Sequence, residues 1–251
     1  MKTINFELYE ALSAQAAEDI CTEVHNGLQK NGKYVLGLAT GATPIGMYKQ
    51  LIPLLGRFSI DLSGLHTFNL DEYYGLTQDN KNSYYYEMME QFWKPLHERN
   101  PSFKIENAHI PNTAAKNAEE ECKRYEQEIK KAGGIDLQIL GIGTNGHIAF
   151  NEPGSAGDSR TRVVEIAEET RQVNAQKFFN DDISKVPSQA ISMGICTILE
   201  AKKIFLLISG VSKKEIYSKF LATTTPTIDI PASFIYSHPD LTIYTDIVLA
   251  S

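Results

Sequence analysis

The sequence contains 251 residues, 42% of them hydrophobic and 22% charged, and carries a formal net charge of −7. Such a composition is typical of a globular protein whose core needs no disulfide or metal for stability. The acidic balance argues against nucleic acid or an anionic membrane as a partner, so an anionic ligand requires a local site. Three scattered cysteines and an N-terminus without an apolar export segment favour a reducing, cytoplasmic location.

Helices and strands alternate in the predicted secondary structure. Apolar spacing predicts helices over residues 8–30, 45–55, 83–93, 113–131, 190–199 and 212–221. Short apolar runs predict strands over residues 34–39, 65–70, 135–142, 203–209 and 241–244. This order predicts an α/β fold in which residues 1–251 form one domain. We expect a doubly wound, mostly parallel, Rossmann-like sheet with helices on both faces.

Polar or glycine-rich segments follow four of the predicted strands. They are residues 40–43, 71–72, 143–152 and 209–213. Ligands of open α/β sheets bind beyond the carboxyl ends of the strands, near the point where strand order reverses. We therefore expect the four segments to form one site.

The glycines of the third segment have the spacing G-x-G-x-x-G, at Gly141, Gly143 and Gly146. Dinucleotide binding by this pattern requires a helix that begins at the third glycine. Pro153-Gly154 interrupts the chain too soon for such a helix, and the Walker pattern is absent from the sequence. These features argue against a nucleotide cofactor.

The first segment, Thr40-Gly41-Ala42-Thr43, is a candidate phosphate site. A strand, a glycine turn, two hydroxyls and a helix start bring backbone N–H groups to a positive helix end. An ordinary strand-to-helix turn, in which Thr43 caps the helix, is equally consistent with the pattern. The segment ending at Lys213 repeats this design and adds a cation, although a solvated surface lysine fits there as well.

Asp71 and Glu72 are candidates for proton transfer. Adjacent side chains at a strand end point in opposite directions, so one carboxylate can face a cleft while the other is structural. A carboxylate screened from water has a raised pKa and can move a proton between carbons. Helix capping or surface solvation is the alternative interpretation for this pair.

His147 is a candidate acid or base, because imidazole transfers protons near neutral pH once its tautomer is fixed. Asn145 and Glu152 are close enough in sequence to fix it. An ordinary loop histidine is the alternative. Metal ligation has no support, because no second His or Cys stands at a ligand spacing.

Four segments occur together in an order and spacing that is specific for one family. They are Leu36–Pro44, Phe68–Tyr73, Asn82–Tyr85 and Gly141–Gly154. Together they closely resemble the glucosamine-6-phosphate deaminase (isomerising) family, close to the glucosamine/galactosamine-6-phosphate isomerase group. The similarity continues through Ser159–Arg162, Glu169–Arg171 and Ser209–Lys213, and so covers nearly the whole chain.

The resemblance implies a reaction that converts an amino-sugar 6-phosphate and water into fructose 6-phosphate and ammonia, without cofactor or metal. Asp71 matches the family's proton-shuttling Asp, His147 the His that assists ring opening, and Glu152 its supporting Glu. The positions implied for the substrate phosphate are Thr40, Gly41, Ala42, Thr43, Arg171 and Lys213. Asn145 belongs with the catalytic group, and Glu72 and Gly143 are expected to border the cleft.

Other functions fit parts of the sequence. A related enzyme for galactosamine 6-phosphate, giving tagatose 6-phosphate, differs only in the C4 configuration of its substrate. A 6-phosphogluconolactonase shares the fold and a glycine-histidine loop, but Asp71 and the segment Asn151–Gly154 favour the deaminase. A noncatalytic sugar-phosphate sensor is the alternative of another class. The sequence leaves a homo-oligomer open and does not determine it.

Two departures from the family pattern concern regulation and catalysis. Some members carry Asp where this chain has Asn145, which cannot supply a negative charge to His147. In allosterically activated members the Arg matching Arg162 is followed two residues later by Lys, whereas here Val164 stands there.

We therefore expect no strong activation by N-acetylglucosamine 6-phosphate. The test is the initial rate against substrate concentration, measured with and without that compound. We expect the same hyperbolic curve in both. A sigmoidal curve that becomes hyperbolic on its addition would contradict this expectation.

Overall fold

The computed structural model describes residues 1–57 and 61–249. The strands are β1 (Lys2–Asn5), β2 (Tyr34–Leu38), β3 (Leu65–Asn69), β4 (Asp71–Tyr73), β5 (Ala108–His109), β6 (Leu137–Gly141), β7 (Arg162–Glu165), β8 (Gln189–Ser192), β9 (Ile204–Ile208) and β10 (Leu241–Thr245). The helices are α1 (Tyr9–Asn31), α2 (Ile45–Arg57), α3 (Tyr84–Met88), α4 (Lys94–Arg99), α5 (Ala118–Lys131), α6 (Glu168–Phe178), α7 (Ile195–Leu199) and α8 (Lys214–Ala222). A π-helical turn, Met89–Trp93, joins α3 to α4. None of the described helices is long and apolar enough to cross a membrane.

Seven strands form a parallel sheet in the order β1-β10-β9-β6-β2-β3-β5. A second, antiparallel sheet has the order β4-β8-β7. The predicted mostly parallel α/β fold is confirmed. The small antiparallel sheet is an addition that the sequence pattern did not indicate.

The large sheet is covered on both faces, as β9 illustrates. Phe205 and Leu207 pack into the cluster that includes α1 and α2. Ile204, Leu206 and Ile208 pack into the opposite cluster, which includes α5, α7 and α8. A strand buried on both faces needs apolar residues at every position, which explains the unbroken apolar run in its sequence.

Strand order reverses between β2 and β6. β3 and β5 lie beyond β2, whereas β9 and β10 lie beyond β6. The loops that leave the carboxyl ends of β2 and β6 therefore diverge and leave a crevice between them. This is where the candidate site lies.

The helix predicted over 190–199 is wrong in its first half. Residues Gln189–Ser192 form β8, which pairs with both β4 and β7. Gly194 then precedes α7. A short apolar run fits a buried strand as well as a helix, so only its pairing partners decide between them.

Other boundaries also differ from the prediction. The helix predicted over 113–131 begins at Ala118, because the Asn117 side chain accepts hydrogen bonds from the N–H groups of Glu119 and Glu120. Asn and Asp side chains mark such starts more reliably than apolar spacing does. The elements β1, β4, β5, β7, α4 and α6 were not predicted.

Gly194 provides a test of how the small sheet is joined to the rest of the fold. A Cβ at Gly194 would lie 2.1 Å from the backbone oxygen of Ser159 and 2.3 Å from its carbonyl carbon. Backbone atoms cannot move aside as a flexible side chain can. We expect Gly194→Ala to lower the free energy of unfolding by about 1–3 kcal/mol, measured by urea denaturation.

Gly141→Ala is the matched control, because a Cβ at Gly141 meets no atom within 4 Å. We expect its urea midpoint to stay near that of the wild type. Equal midpoints for the two variants would show that the Gly194 contact does not constrain the fold.

Candidate active site

A cavity lies at the carboxyl ends of β2 and β6, where strand order reverses. Its lining includes the predicted site residues Thr40, Gly41, Ala42, Thr43, Asp71, Gly143, His147 and Lys213. All four predicted segments therefore contribute to one cavity. The predicted residues Glu72, Asn145, Glu152 and Arg171 are not part of its lining.

The turn 40–43 forms one end of the cavity. Gly41 has φ = +97°, in the left-handed region that favours glycine. The turn leads directly into α2, whose first turn has backbone N–H groups without helical partners. The Tyr9 hydroxyl donates to the carbonyl of Thr43 and accepts from the N–H of Gly46, which fixes the turn against α1.

Lys213 also lines the cavity, from the segment that follows β9. Its side chain is half-buried, and burial together with the charge of Lys177 lowers its pKa to about 8. Lys177, on α6, also lines the cavity. Hydroxyls, a helix start and two ammonium groups give the cavity the chemistry of an anion site.

Asp71 also lines the cavity. It is the first residue of β4, pairs with Ser192 of β8, and is only 6% exposed. Burial raises its pKa well above the ordinary value, and the nearby carboxylates of Glu72 and Glu87 raise it further. A carboxyl group of this kind exchanges protons closer to neutral pH than an exposed aspartate does.

Glu72 points away from the cavity and caps the start of α3. Its Oε1 accepts from the N–H groups of Tyr73 at 2.8 Å and Tyr84 at 2.9 Å, and its Oε2 accepts from Tyr85 at 2.8 Å. Burial raises its pKa to about 7, although these three donors lower it. The prediction that Glu72 borders the cleft is wrong, because successive side chains on a strand face opposite sides.

His147 is held by two neighbours from its own loop. Its Nδ1 lies 3.2 Å from Oε2 of Glu152, and Nδ2 of Asn145 donates to the same oxygen at 2.7 Å. The backbone N–H of His147 donates to Oδ1 of Asn145. With a proton on Nδ1 the imidazole donates to Glu152, which leaves Nε2 as an acceptor.

Glu152 is ionised in this arrangement. Burial opposes its ionisation, but the hydrogen bond and charge of His147 and the hydrogen bond from Asn145 outweigh it and lower the pKa to about 2. Glu152 lies behind His147 and orients the imidazole without lining the cavity. Asn145 likewise lies outside the lining and contacts the Glu152 side chain and the backbone N–H of His147.

Gly143 permits the close approach of the imidazole. A Cβ there would lie 2.2 Å from Cε1 of His147. Gly146 has φ = +91°, and Ala149, a cavity-lining residue, has φ = +53°. A non-glycine residue in this region carries strain that the surrounding structure has to stabilise. The glycine spacing serves this tight loop, and no helix follows Gly146.

Arg171 is engaged elsewhere. Its Nη2 donates to the carbonyls of Ile183 and Val186, and its Nη1 forms a salt bridge with Glu168 at 3.1 Å. These contacts tie α6 to the segment that follows it. Arg171 is not part of the cavity lining, and the phosphate role implied for it stays a prediction.

The sequence interpretation missed several residues at the cavity. Lys177 and Asn174 line it from α6, and Tyr84 lines it from α3. Glu87 lies behind the phosphate turn, where its Oε1 is 3.4 Å from the N–H of Gly41. Among these missed residues, the charge of Lys177 was a local sequence signal for a place in the cavity. Lys177 lies in α6, a helix that was not predicted. Across residues 1–57 and 61–249, no three His, Cys, Asp or Glu side chains are grouped as metal ligands.

The sequence matches known proteins over most of its length. The family model described as glucosamine-6-phosphate isomerases/6-phosphogluconolactonase matches residues 8–243. A glucosamine-6-phosphate deaminase of Thermoanaerobacter pseudethanolicus is 47% identical, covering 100% of this chain and 94% of the relative.

Solved structures resemble the fold as well. The structure of a monomeric glucosamine-6-phosphate deaminase has a TM-score of 0.89 and 43% identity, covering 98% of this chain and 97% of that one. A 6-phosphogluconolactonase from Thermotoga maritima has a TM-score of 0.73 at 24% identity, covering 97% of this chain and 99% of that one, and shows only a shared fold. The family match and the extended identity establish that this chain belongs to the glucosamine-6-phosphate deaminase family.

Proposed function

We propose that this protein converts glucosamine 6-phosphate and water into fructose 6-phosphate and ammonia. The observation that carries the proposal is one cavity with an anion-binding end and two proton-transfer groups, Asp71 and His147. The similarity to glucosamine-6-phosphate deaminases supports the same reaction. The free thiols described at Cys21, Cys122 and Cys196 fit a cytoplasmic enzyme.

The turn 40–43 and Lys213 would bind the substrate phosphate. The phosphate takes no part in bond cleavage, so its binding energy can orient the sugar against Asp71 and His147. Backbone N–H groups and hydroxyls bind a dianion at a helix start, and the ammonium of Lys213 adds charge.

His147 would open the pyranose ring. Its Nε2 accepts the proton of the C1 hydroxyl while the C1–O5 bond breaks, and a proton returned to O5 completes the open-chain aldehyde. The carboxylate of Glu152 stabilises the transient imidazolium through Nδ1. Asn145 donates to the same carboxylate and so fixes its position.

Asp71 would then carry a proton from C2 to C1. Removal of the C2 proton as O1 takes up a proton gives an enolamine, and delivery of the C2 proton to C1 with loss of one N–H proton leaves an imine at C2. Water adds to the imine carbon and ammonia departs, which gives the ketose phosphate. One carboxylate is sufficient because C1 and C2 are neighbours, and the raised pKa of Asp71 helps it both accept and release the proton.

The direct test supplies glucosamine 6-phosphate and galactosamine 6-phosphate separately and measures ammonia and ketose phosphate. We expect ammonia and fructose 6-phosphate in equal amounts from the first substrate. Faster release from the second substrate would move the assignment to the galactosamine enzyme. No ammonia from either substrate would contradict deamination altogether.

Asp71→Asn separates chemistry from binding. The amide cannot accept the C2 proton, so we expect kcat to fall by about 10²–10⁴ or more. The dissociation constant for inorganic phosphate, measured by calorimetry, should stay within about twofold, because Asp71 is not one of the proposed phosphate ligands and the amide keeps its size.

Glu72→Gln is the matched control, since it removes the neighbouring buried carboxylate. We expect it to lower stability by about 1–3 kcal/mol through the lost N–H contacts, while kcat stays within tenfold of the wild type. Near-normal turnover by Asp71→Asn would remove Asp71 from the proposed mechanism.

A further inference from the structure

The two proposed proton-transfer groups lie on different parts of the chain. Asp71 begins β4, whereas His147 lies in the loop that follows β6, and both line the cavity. The proposed reaction needs both groups beside adjacent carbons of one sugar, and a misplacement of about 1 Å can cost about a hundredfold in rate. Contacts that hold the histidine loop relative to β4 therefore matter for turnover.

The carboxyl end of β8 holds β4 by backbone contacts. Ser192, the last residue of β8, is the register partner of Asp71 in the small sheet. The N–H of Met193, the next residue, donates to the carbonyl of Leu70 at 2.8 Å. Backbone hydrogen bonds do not depend on the side chain, so β4 stays attached to β8 when the Ser192 side chain is replaced.

The same two residues of β8 and its end hold the histidine loop. The Ser192 hydroxyl accepts from the N–H of Phe150 at 3.1 Å and donates to the carbonyl of Met193 at 3.3 Å. That carbonyl also accepts from Nδ2 of Asn151 at 2.8 Å. Two successive residues therefore join the histidine loop to the strand that carries Asp71.

Asn151 also closes the turn between the two side chains that are proposed to open the ring. Its Nδ2 and its backbone N–H both donate to the carbonyl of Ile148 at 3.0 Å, and its Oδ1 accepts from Nη1 of Arg162 at 2.9 Å. His147 precedes this turn and Glu152 follows it. The turn thus brings the imidazole within 3.2 Å of the carboxylate.

Neither Ser192 nor Asn151 lines the cavity, and both residues are 0% exposed. Buried hydrogen bonds of this kind favour one arrangement, because a buried polar group that loses its partner lowers stability. Since these two side chains do not reach the cavity, an effect on turnover has to act through the residues that they hold.

We propose that Ser192 and Asn151 are positioning residues for the histidine loop. They hold the imidazole of His147 and the carboxylate of Glu152 at a fixed place relative to Asp71, so that one substrate reaches both proton-transfer groups. The proposal deepens the function proposed above, on which it rests for the roles of those groups.

The test compares substitutions of two buried serines. Ser192→Ala removes the acceptor of the Phe150 N–H and leaves the backbone pairing of β8 in place. We expect a lower urea midpoint and a kcat reduced about tenfold or more, because the loop is no longer held against β8. The dissociation constant for inorganic phosphate should equal that of the wild type, because no proposed phosphate ligand lies in this loop.

Ser233→Ala is the matched control. Ser233 is also 0% exposed, and its hydroxyl accepts from the N–H of Thr227 at 2.8 Å and donates to the Thr227 carbonyl at 3.2 Å. It lies outside the cavity lining. We expect its urea midpoint to fall as far as that of Ser192→Ala while its kcat equals that of the wild type, because the lost hydrogen bonds do not hold the histidine loop.

Asn151→Asp tests the turn with a side chain of the same size. Beside the Arg162 guanidinium the carboxylate is ionised, so it accepts from Arg162 and cannot donate to the carbonyls of Ile148 and Met193. We expect kcat to fall about tenfold or more and KM to change less.

Coupling to Glu152 distinguishes positioning from a loss of stability. Glu152→Gln already weakens the hold on the imidazole, so adding Ser192→Ala should lower kcat by a smaller factor than it does in the wild type. All rates are measured well below the unfolding transition of each variant. Two independent effects would instead multiply in full.

The proton on Nδ1 of His147 gives a readout that needs no turnover. In the wild type it lies in the hydrogen bond to Oε2 of Glu152, and its NMR signal is assigned by its absence from His147→Gln. We expect the signal to shift or disappear in Ser192→Ala and to stay unchanged in Ser233→Ala.

A kcat equal to that of the wild type in both Ser192→Ala and Asn151→Asp would overturn the proposal. Equal losses of kcat in Ser192→Ala and Ser233→Ala would overturn it as well, since the effect would then belong to stability. A wild type that releases no ammonia contradicts the proposed reaction. In that case the Nδ1 signal decides the positioning role, which an unchanged signal in Ser192→Ala contradicts.

Discussion

At the switch point between β2 and β6, the chain leaves two neighbouring parallel strands toward opposite sides of the sheet, so neither connection covers the strand ends. The candidate site lies in the crevice that these two diverging connections leave open. The phosphate turn leaves β2, the histidine loop leaves β6, and Lys213 arrives from β9 beside β6. Parallel strands bring these segments to one edge whatever their separation in sequence.

The small antiparallel sheet contributes Asp71 to the cavity, a residue that lies beyond the end of the parallel strand β3. β3 ends at Asn69, and the chain turns into β4, where Asp71 and Glu72 project to opposite sides. Asp71 faces the cavity and Glu72 caps α3. Removing the Glu72 cap would leave buried N–H groups without acceptors, which lowers stability. The cap therefore fixes the position of the adjacent residue, Asp71. Asp71, the proposed proton-transfer residue, is therefore held in place by a structural residue that is adjacent in sequence.

The parts of the site that the sequence predicted are those formed by short local segments. The turn 40–43, Asp71 and the loop around His147 each follow a strand that its apolar run reveals. Other placements depend on contacts distant in sequence. Local spacing favours a helix over 190–199, but in the structure the first half of this segment pairs as a strand with β4 and β7.

The same distinction explains why the sequence assigned no place in the cavity to Lys177. The sequence of α6 is polar on most sides, so it shows no clear apolar stripe, and its orientation depends on packing. Arg171 matches a phosphate-binding position of the family it resembles, and in this structure its guanidinium donates to two carbonyls of the segment that follows α6. The residue type at a motif position predicts which chemistry that side chain can perform. Tertiary contacts decide which part of the structure the side chain reaches.

Asn145 shows how a neutral residue can serve beside a catalytic histidine. Its amide donates to Oε2 of Glu152 at 2.7 Å, so an Asp at this position would place a second carboxylate against the first. Two carboxylates at that distance cannot both stay ionised near neutral pH. With Asn, the single charge of Glu152 is retained and its pKa stays low, at about 2. In the proposed reaction, the imidazolium formed by His147 is then stabilised by one carboxylate whose position is fixed by the amide, so Asn145 is compatible with the proposed ring opening.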